Sequence, residues 1–237
     1  MREHETVHTE PEPIGKLPSG RHRLSRDYVV NHQVTRILAA VIEVTGTTGY
    51  AQLTVEAVIG RAGVSRSTFY EHFRNKDDAF LRAYDTMAAR LMDSVTDAYK
   101  QEEDALGRLR AGLSAFLEFL AAEPLAARTC IVESLAAGPR AAARRDEAKQ
   151  AFVQLVADNI RELFPAYPEP GLTAETIVGG IHEVVHTRIR RDEIAELPAL
   201  LPALLNVFAI PDPERWGPDA TAPYAREPEA PGTAPLD

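Results

Sequence analysis

The chain has 237 residues, a formal net charge of −9 and a single cysteine. That length supports one large or two small domains with a proper core, and the lone Cys130 excludes an internal disulfide. No apolar run approaches the ~20 residues of a membrane span, and MREHETVHTEPEPIGK lacks the apolar segment of a secretory signal. A soluble, cytoplasmic protein with no membrane partner is the expectation.

Residues 1–25 read as a disordered N-terminal arm, because the first part is rich in Glu, Pro and His with almost no apolar content. Arg21, Arg23 and Arg26 follow closely. They form either an arm that enters an adjacent minor groove or a solvated basic linker. A first helix is predicted from about Arg26 to Thr45, with Val30, Val34, Ile37, Leu38, Val41 and Ile42 as its buried stripe. Thr47-Thr48-Gly49-Tyr50 breaks it.

Two short helical patterns come next. From Thr54 to Arg61, Val55, Val58 and Ile59 share a face, and the Thr54 hydroxyl can cap the first turn. Ala62-Gly63-Val64 closes this helix, with Gly63 where a left-handed backbone is needed. Ser65 caps a second helix, in which Phe69 and Phe73 lie four apart and can anchor it to its own domain. Helix, glycine turn and helix make a helix-turn-helix, whose second helix can enter the major groove of DNA. Its other faces carry Arg66, Ser67, Thr68, Tyr70 and His72. Arg66 can fork onto guanine, and the hydroxyls of Ser65, Ser67, Thr68 and Thr54 can serve base edges or phosphates. Tyr70, His72 and Lys76 suit phosphate oxygens, which position a protein without reading sequence.

The charge distribution agrees with this reading. From Gly20 to Arg82 there are nine Lys/Arg against six Asp/Glu, whereas residues 83–237 carry fifteen against twenty-five. Positive charge therefore sits where phosphates would be, and the acidic remainder opposes non-specific DNA binding.

This stretch, Arg36 to Phe80, resembles the DNA-binding domain of the TetR family of bacterial transcriptional regulators. The resemblance rests on Ile37-Leu38-Ala39-Ala40, Gly49-Tyr50, Leu53-Thr54-Val55, Ala62-Gly63-Val64-Ser65, Thr68-Phe69-Tyr70, His72-Phe73 and Lys76. It departs from the family at Val58-Ile59-Gly60, where Ile-Ala and a larger residue are usual; Gly60 costs helix propensity by up to ~1 kcal/mol relative to Ala.

Further along, Asn75 can cap a long helix from Lys76 to about Lys100, with Asp77 and Asp78 placed to suit its dipole. The resemblance implies that this helix joins the DNA-binding part to the rest. Helices are then predicted over Ala105–Ala122, Pro124–Ala136, Pro139–Phe164, Thr173–Arg191 and Ile194–Phe208, with turns at Gly138 and at Pro165 to Gly171. Pro198 and Pro202 start or kink the last of them. Pro211 to Asp237 reads as a disordered tail, with Trp216 loose within it.

Ile177, Ile181, Val184, Val185 and Ile189 stripe one late helix, and Leu197, Leu200, Leu201, Leu204, Leu205 and Phe208 the next. The resemblance implies that these two pair with their copies in a homodimer, which would read a palindromic operator. It also implies a cavity for a small-molecule effector among the middle helices. Tyr84, Phe116, Phe119, Cys130, Phe152, His182 and His186 are its candidate residues, each with core packing as the simpler role. Cys130 is read as a packed apolar residue ahead of a redox sensor beside Arg128.

One motif points to another class. His182-Glu183-Val184-Val185-His186 is an HExxH, which on a helix could hold zinc with Glu183 as general base, and Glu193 or Glu196 as a third ligand. No downstream Gly-x-x-His follows, so structural histidines are the preferred reading and no metal or cofactor is expected. A P-loop, a G-x-G-x-x-G after a strand and a G-x-S-x-G are all missing. The expectation is an all-α, non-enzymatic protein. It has a three-helix DNA-binding domain over 26–80, a helical ligand-binding and dimerisation domain over 81–210, and a tail over 211–237. Its expected role is a dimeric repressor released from double-stranded DNA by a small molecule, with a zinc-dependent hydrolase as the alternative.

Overall fold

The computed structural model describes residues 26–207. The arm with Arg21 and Arg23, the tail, Phe208 and Trp216 lie outside the described residues. Those described contain nine α-helices and no strand: α1 (Arg26–Thr48), α2 (Val55–Ala62), α3 (Arg66–His72), α4 (Lys76–Lys100), α5 (Ala105–Ala122), α6 (Pro124–Ala127), α7 (Pro139–Leu163), α8 (Pro170–Arg190) and α9 (Leu201–Val207). None of them is long and apolar enough to cross a membrane.

Two main cores organise these helices, with a smaller cluster of Leu91, Val95 and Ala115 between α4 and α5. The first is built by α1 to α4 around Ile37, Val41, Leu53, Val58, Phe69 and Phe80, all essentially inaccessible. It continues through Leu81 and Ala83 of α4 and takes in Ala141 from α7. The expected division at residue 80 therefore falls within one continuous helix, and α4 belongs to both halves. The second core joins α5, α7, α8 and the last helical segments through Leu117, Leu120, Val185, Ile189 and Leu197.

Local chemistry sets the helix ends. Thr54, Ser65, Asn75 and Asp104 each accept a backbone N–H of the first turn, at 3.1, 3.0, 2.9 and 2.8 Å. Gly63, at φ 61°, ends α2 with its own N–H donated to the Ile59 carbonyl. Helix α1 runs on to Thr48, three residues past the expected end. The Thr48 hydroxyl donates to the Val44 carbonyl at 2.8 Å, and Gly49, at φ 87°, finally turns the chain.

Three further boundaries differ from expectation. Helix α8 begins at Pro170, because a first-turn proline lacks only an N–H that has no helical partner. Ile194–Leu200 is a 3₁₀ helix containing Pro198, and a true α-helix starts only at Leu201. The run expected as one helix over Pro124–Ala136 is α-helical only to Ala127. It opens into a π-helical turn over Arg128–Val132 and tightens to 3₁₀ over Glu133–Leu135. There the Ser134 hydroxyl donates to the Cys130 carbonyl at 2.7 Å.

Candidate nucleic-acid interface and effector cavity

Helix α3 has only seven residues and is held from outside rather than by its own turns. Phe69 is fully buried, and Phe73 lies beside it with ring centroids 5.5 Å apart. Arg36 of α1 donates to the Ala62 and Gly63 carbonyls and so fixes the turn between α2 and α3. With that side anchored, Arg66, Ser67 and Tyr70 are exposed on the other, Tyr70 at 50%.

Each predicted contact residue among the described ones has a place in this geometry. The Thr54 and Ser65 hydroxyls are engaged as caps, with Ser65 Oγ 2.9 Å from Thr68 Oγ1, so their first role is to shape the helix ends. Arg66 forms an ion pair with Glu56 of α2, and Ser67 donates weakly to Glu71 at 3.4 Å. His72 Nε2 lies 3.3 Å from Gln33 of α1. Lys76 sits over the Tyr50 ring at 5.0 Å, and the Tyr50 hydroxyl donates to Asp77 at 2.6 Å. Burial and that carboxylate push the Tyr50 phenol above its ordinary pKa. Glu56, Glu71 and Arg36 were not legible as part of this face. Glu56 precedes Arg66 by ten positions, so no helical spacing links them.

A second feature lies between α4, α5, α7, α8 and the π-helical turn. It is a cavity of about 320 Å³ with an almost wholly apolar wall, at the lower end of the ~300–1,000 Å³ usual for ligand sites. Tyr84, Phe116, Phe119, Cys130, Phe152 and His182 all line it. His186 does not: the part of α8 that faces the cavity ends at His182, one turn earlier. Phe116 and Phe152 meet edge to face at 5.6 Å. The basic residues Arg145 and Lys149 of α7 also reach the wall. In the sequence they belong to an Ala- and Arg-rich run, and nothing local singles either of them out.

Burial sets the chemistry here. It pushes the Cys130 thiol up to about 12, which keeps it protonated, and Arg128 is turned away to Asp192. Both facts favour the packed reading of Cys130. Tyr84 is likewise raised, by burial first and then by the neighbouring Cys130. His182 is lowered, first by burial and then by the positive charges of Lys149 and Arg145, with His186 adding to this and Glu183 opposing it. A histidine with a lowered folded pKa takes up its proton after the unfolded chain does, so its contribution is complete above pH ~6.5 and shrinks as pH falls below that. His182→Gln should therefore lose less melting temperature than the wild type between pH 7.5 and 5.5, as read by circular dichroism.

The HExxH alternative loses its donor set. Among the described residues no group of three His, Cys, Asp or Glu side chains is placed to hold a metal ion. Glu193 accepts from Arg188 at 2.7 Å instead, and the cations beside His182 would oppose a divalent metal.

Comparison with known proteins agrees with this geometry. Residues 37–83 match the family model of bacterial regulatory proteins of the tetR family. The HTH-type transcriptional activator FasR of Mycolicibacterium smegmatis is 28% identical over 145 residues, 61% of this chain and 66% of that protein. The chain thus spans just under two thirds of FasR. FadR from Bacillus halodurans, a fatty acid degradation regulator, superimposes with a TM-score of 0.68 at 21% identity, over 74% of this chain and 94% of that one. FadR from Bacillus subtilis, solved in complex with stearoyl-CoA, gives 0.66 at 20% identity, over 73% and 96%. These two likenesses establish the all-α fold. Over residues 37–83 the chain carries the helix-turn-helix domain of the tetR family of bacterial regulatory proteins.

Proposed function

We propose that the protein is a transcriptional regulator that binds a palindromic operator as a homodimer and is released when a small molecule fills the cavity. One observation carries this reading. The π-helical turn faces the cavity with Cys130 and Ile131, while Thr129 donates to the Ile42 carbonyl of α1 at 3.3 Å. Just beyond it, Glu133 accepts the Tyr50 N–H at 2.8 Å. The same short segment thus touches both the cavity and the helix that clamps the recognition turn through Arg36. A ligand shifts the recognition helices to the extent that it prefers one arrangement of this segment over another. FadR, with its stearoyl-CoA, supports an effector with a long apolar portion, as the wall of this cavity does.

In the operator-bound state Arg66 reads bases, while Tyr70, His72 and Lys76 hold phosphates. The Arg66–Glu56 pair is more than half exposed on both sides, worth at most ~1 kcal/mol, so a guanine or phosphate can take the place of Glu56. Residues 26–80 act as the DNA-binding part and 81–210 as the effector and dimer part. The apolar stripe of α8, Ile177 to Ile189, is consumed by the chain's own core. The dimer contact therefore uses the remaining faces of α8 and α9, where Leu172 is 62% exposed.

Selection from a random duplex pool, followed by anisotropy at two salt concentrations, tests the proposal. A palindromic consensus with a steep salt slope is expected. Lys76→Ala should weaken all operators alike and flatten the slope by about one. Arg66→Ala should instead relax base preference at its own position, by about 1–3 kcal/mol. An Arg66→Ala protein that selects the same bases would overturn its assignment as the reading residue.

A further inference from the structure

The proposed effector cavity is not uniformly apolar. At the α7–α8 side a half-buried ammonium and a buried imidazole nitrogen both line it. The buried Nε2 of His182 has no hydrogen-bond partner among the described residues. Lys149 has no ion-pair partner among them either, whereas its neighbour Arg145 is paired to Asp146 at 2.9 Å. The Lys149 ammonium lies against Gly179, 3.7 Å from where a Cβ would stand. Gly179 and His182 are three residues apart on α8 and share a face, so the ammonium and the imidazole flank one corner of the cavity. The 3.7 Å separation is ordinary contact distance, so Gly179 marks where the ammonium lies against α8.

A buried imidazole nitrogen without a partner is costly unless a ligand completes it. The half-buried ammonium of Lys149, which makes no ion pair among the described residues, offers a counter-charge to an anion beside it. The geometry points to an anionic head-group site: Lys149 and His182 bind the carboxylate of an aliphatic acid whose chain lies among Phe116, Phe119 and Phe152. His182 in its neutral form donates one N–H to the carboxylate, and Lys149 supplies the balancing charge. The small volume suits a medium-length chain and leaves no space for a nucleotide-bearing thioester head inside. This assignment rests on the effector reading above and sharpens it from an apolar compound to a free acid.

Isothermal calorimetry with decanoate, decanamide and decanoyl-CoA, on the full chain and three variants, tests it. Decanamide matches decanoate in shape but carries no charge. Decanoate should bind the wild type at least ~10-fold tighter than decanamide, and Lys149→Met should lose roughly 10- to 100-fold for decanoate while leaving decanamide within about threefold. His182→Gln should lower decanoate affinity by a smaller factor. Lys149→Arg should keep the preference for the acid, which separates loss of charge from loss of packing. Equal binding of decanoate and decanamide to the wild type overturns the head-group site and leaves the effector cavity standing. A decanoyl-CoA advantage over decanoate that survives in Lys149→Met overturns it as well, by placing the polar head outside. If none of the three binds a protein that still holds operator DNA, the effector reading fails and the head-group site falls with it.

Discussion

Phe69→Ala is expected to destabilise the DNA-binding half by about 3–5 kcal/mol and to abolish operator binding. Its ring is fully buried, stacks obliquely on Phe73 and meets Tyr70 edge to face at 5.4 Å. Little else holds α3, since seven residues are too few for a helix to persist alone in water. Removing the ring leaves a cavity beneath the helix that presents Tyr70 and Arg66 on its exposed side. Because the two cores are built from different side chains, the loss should appear as an early unfolding phase. Urea denaturation followed by circular dichroism would show it, with the half that holds the cavity unfolding at its usual concentration. A single unchanged transition with unaltered operator affinity would show that α3 is held by something other than its aromatic anchor.

Gly46→Val is expected to cost about 1–3 kcal/mol or more and to break the coupling between cavity and recognition helices. Gly46 lies inside α1, where a side chain would ordinarily gain up to ~1 kcal/mol over glycine. Here the balance goes the other way. A Cβ would stand 2.6 Å from the Leu125 carbonyl oxygen and 2.9 Å from its Cα, and backbone atoms cannot yield as a flexible side chain can. The start of α6 must then move off α1, which strains Thr129 at the Ile42 carbonyl and Glu133 at the Tyr50 N–H. A melt together with effector titration of the operator complex reads both effects. The expected result is a lower melting temperature and an operator complex that no longer responds to ligand. Retention of full ligand response at wild-type stability would place the coupling elsewhere, along α4.

The sequence made the DNA-binding half legible because every signal there is local. Thr54, Ser65 and Asn75 cap helices within their own next turn, Gly63 sits where a left-handed residue is required, and Phe69 and Phe73 are spaced as neighbours on one face. The half that holds the cavity was legible only as helices. Phe116, Phe119 and Phe152 carry the same periodicity whether the wall opposite touches them or stops short, so a void is invisible in the pattern. Lys149 looks like surface until α8 is laid across it at Gly179. His182 and His186 share a helical face, and only the depth at which the cavity ends separates them. The π-helical turn escaped notice because Thr129, Ile131 and Val132 are as compatible with an ordinary helix as with a widened one. Its contacts, Thr129 with α1 and Cys130 with the cavity, are long-range and leave no local trace.

That turn also has a bearing on which changes of length the chain can accept. A π turn accommodates one residue more than an α turn, and each residue of an α-helix advances the chain by about 100°. With one residue deleted between Arg128 and Val132, the segment could close into an uninterrupted helix, and everything after it would be rotated by that amount. Glu133 would swing away from Tyr50 and Ser134 from its carbonyl, while side chains in the turn itself could be exchanged without such rotation. In this segment substitutions are absorbed locally, whereas a single deletion is felt at both ends of the molecule.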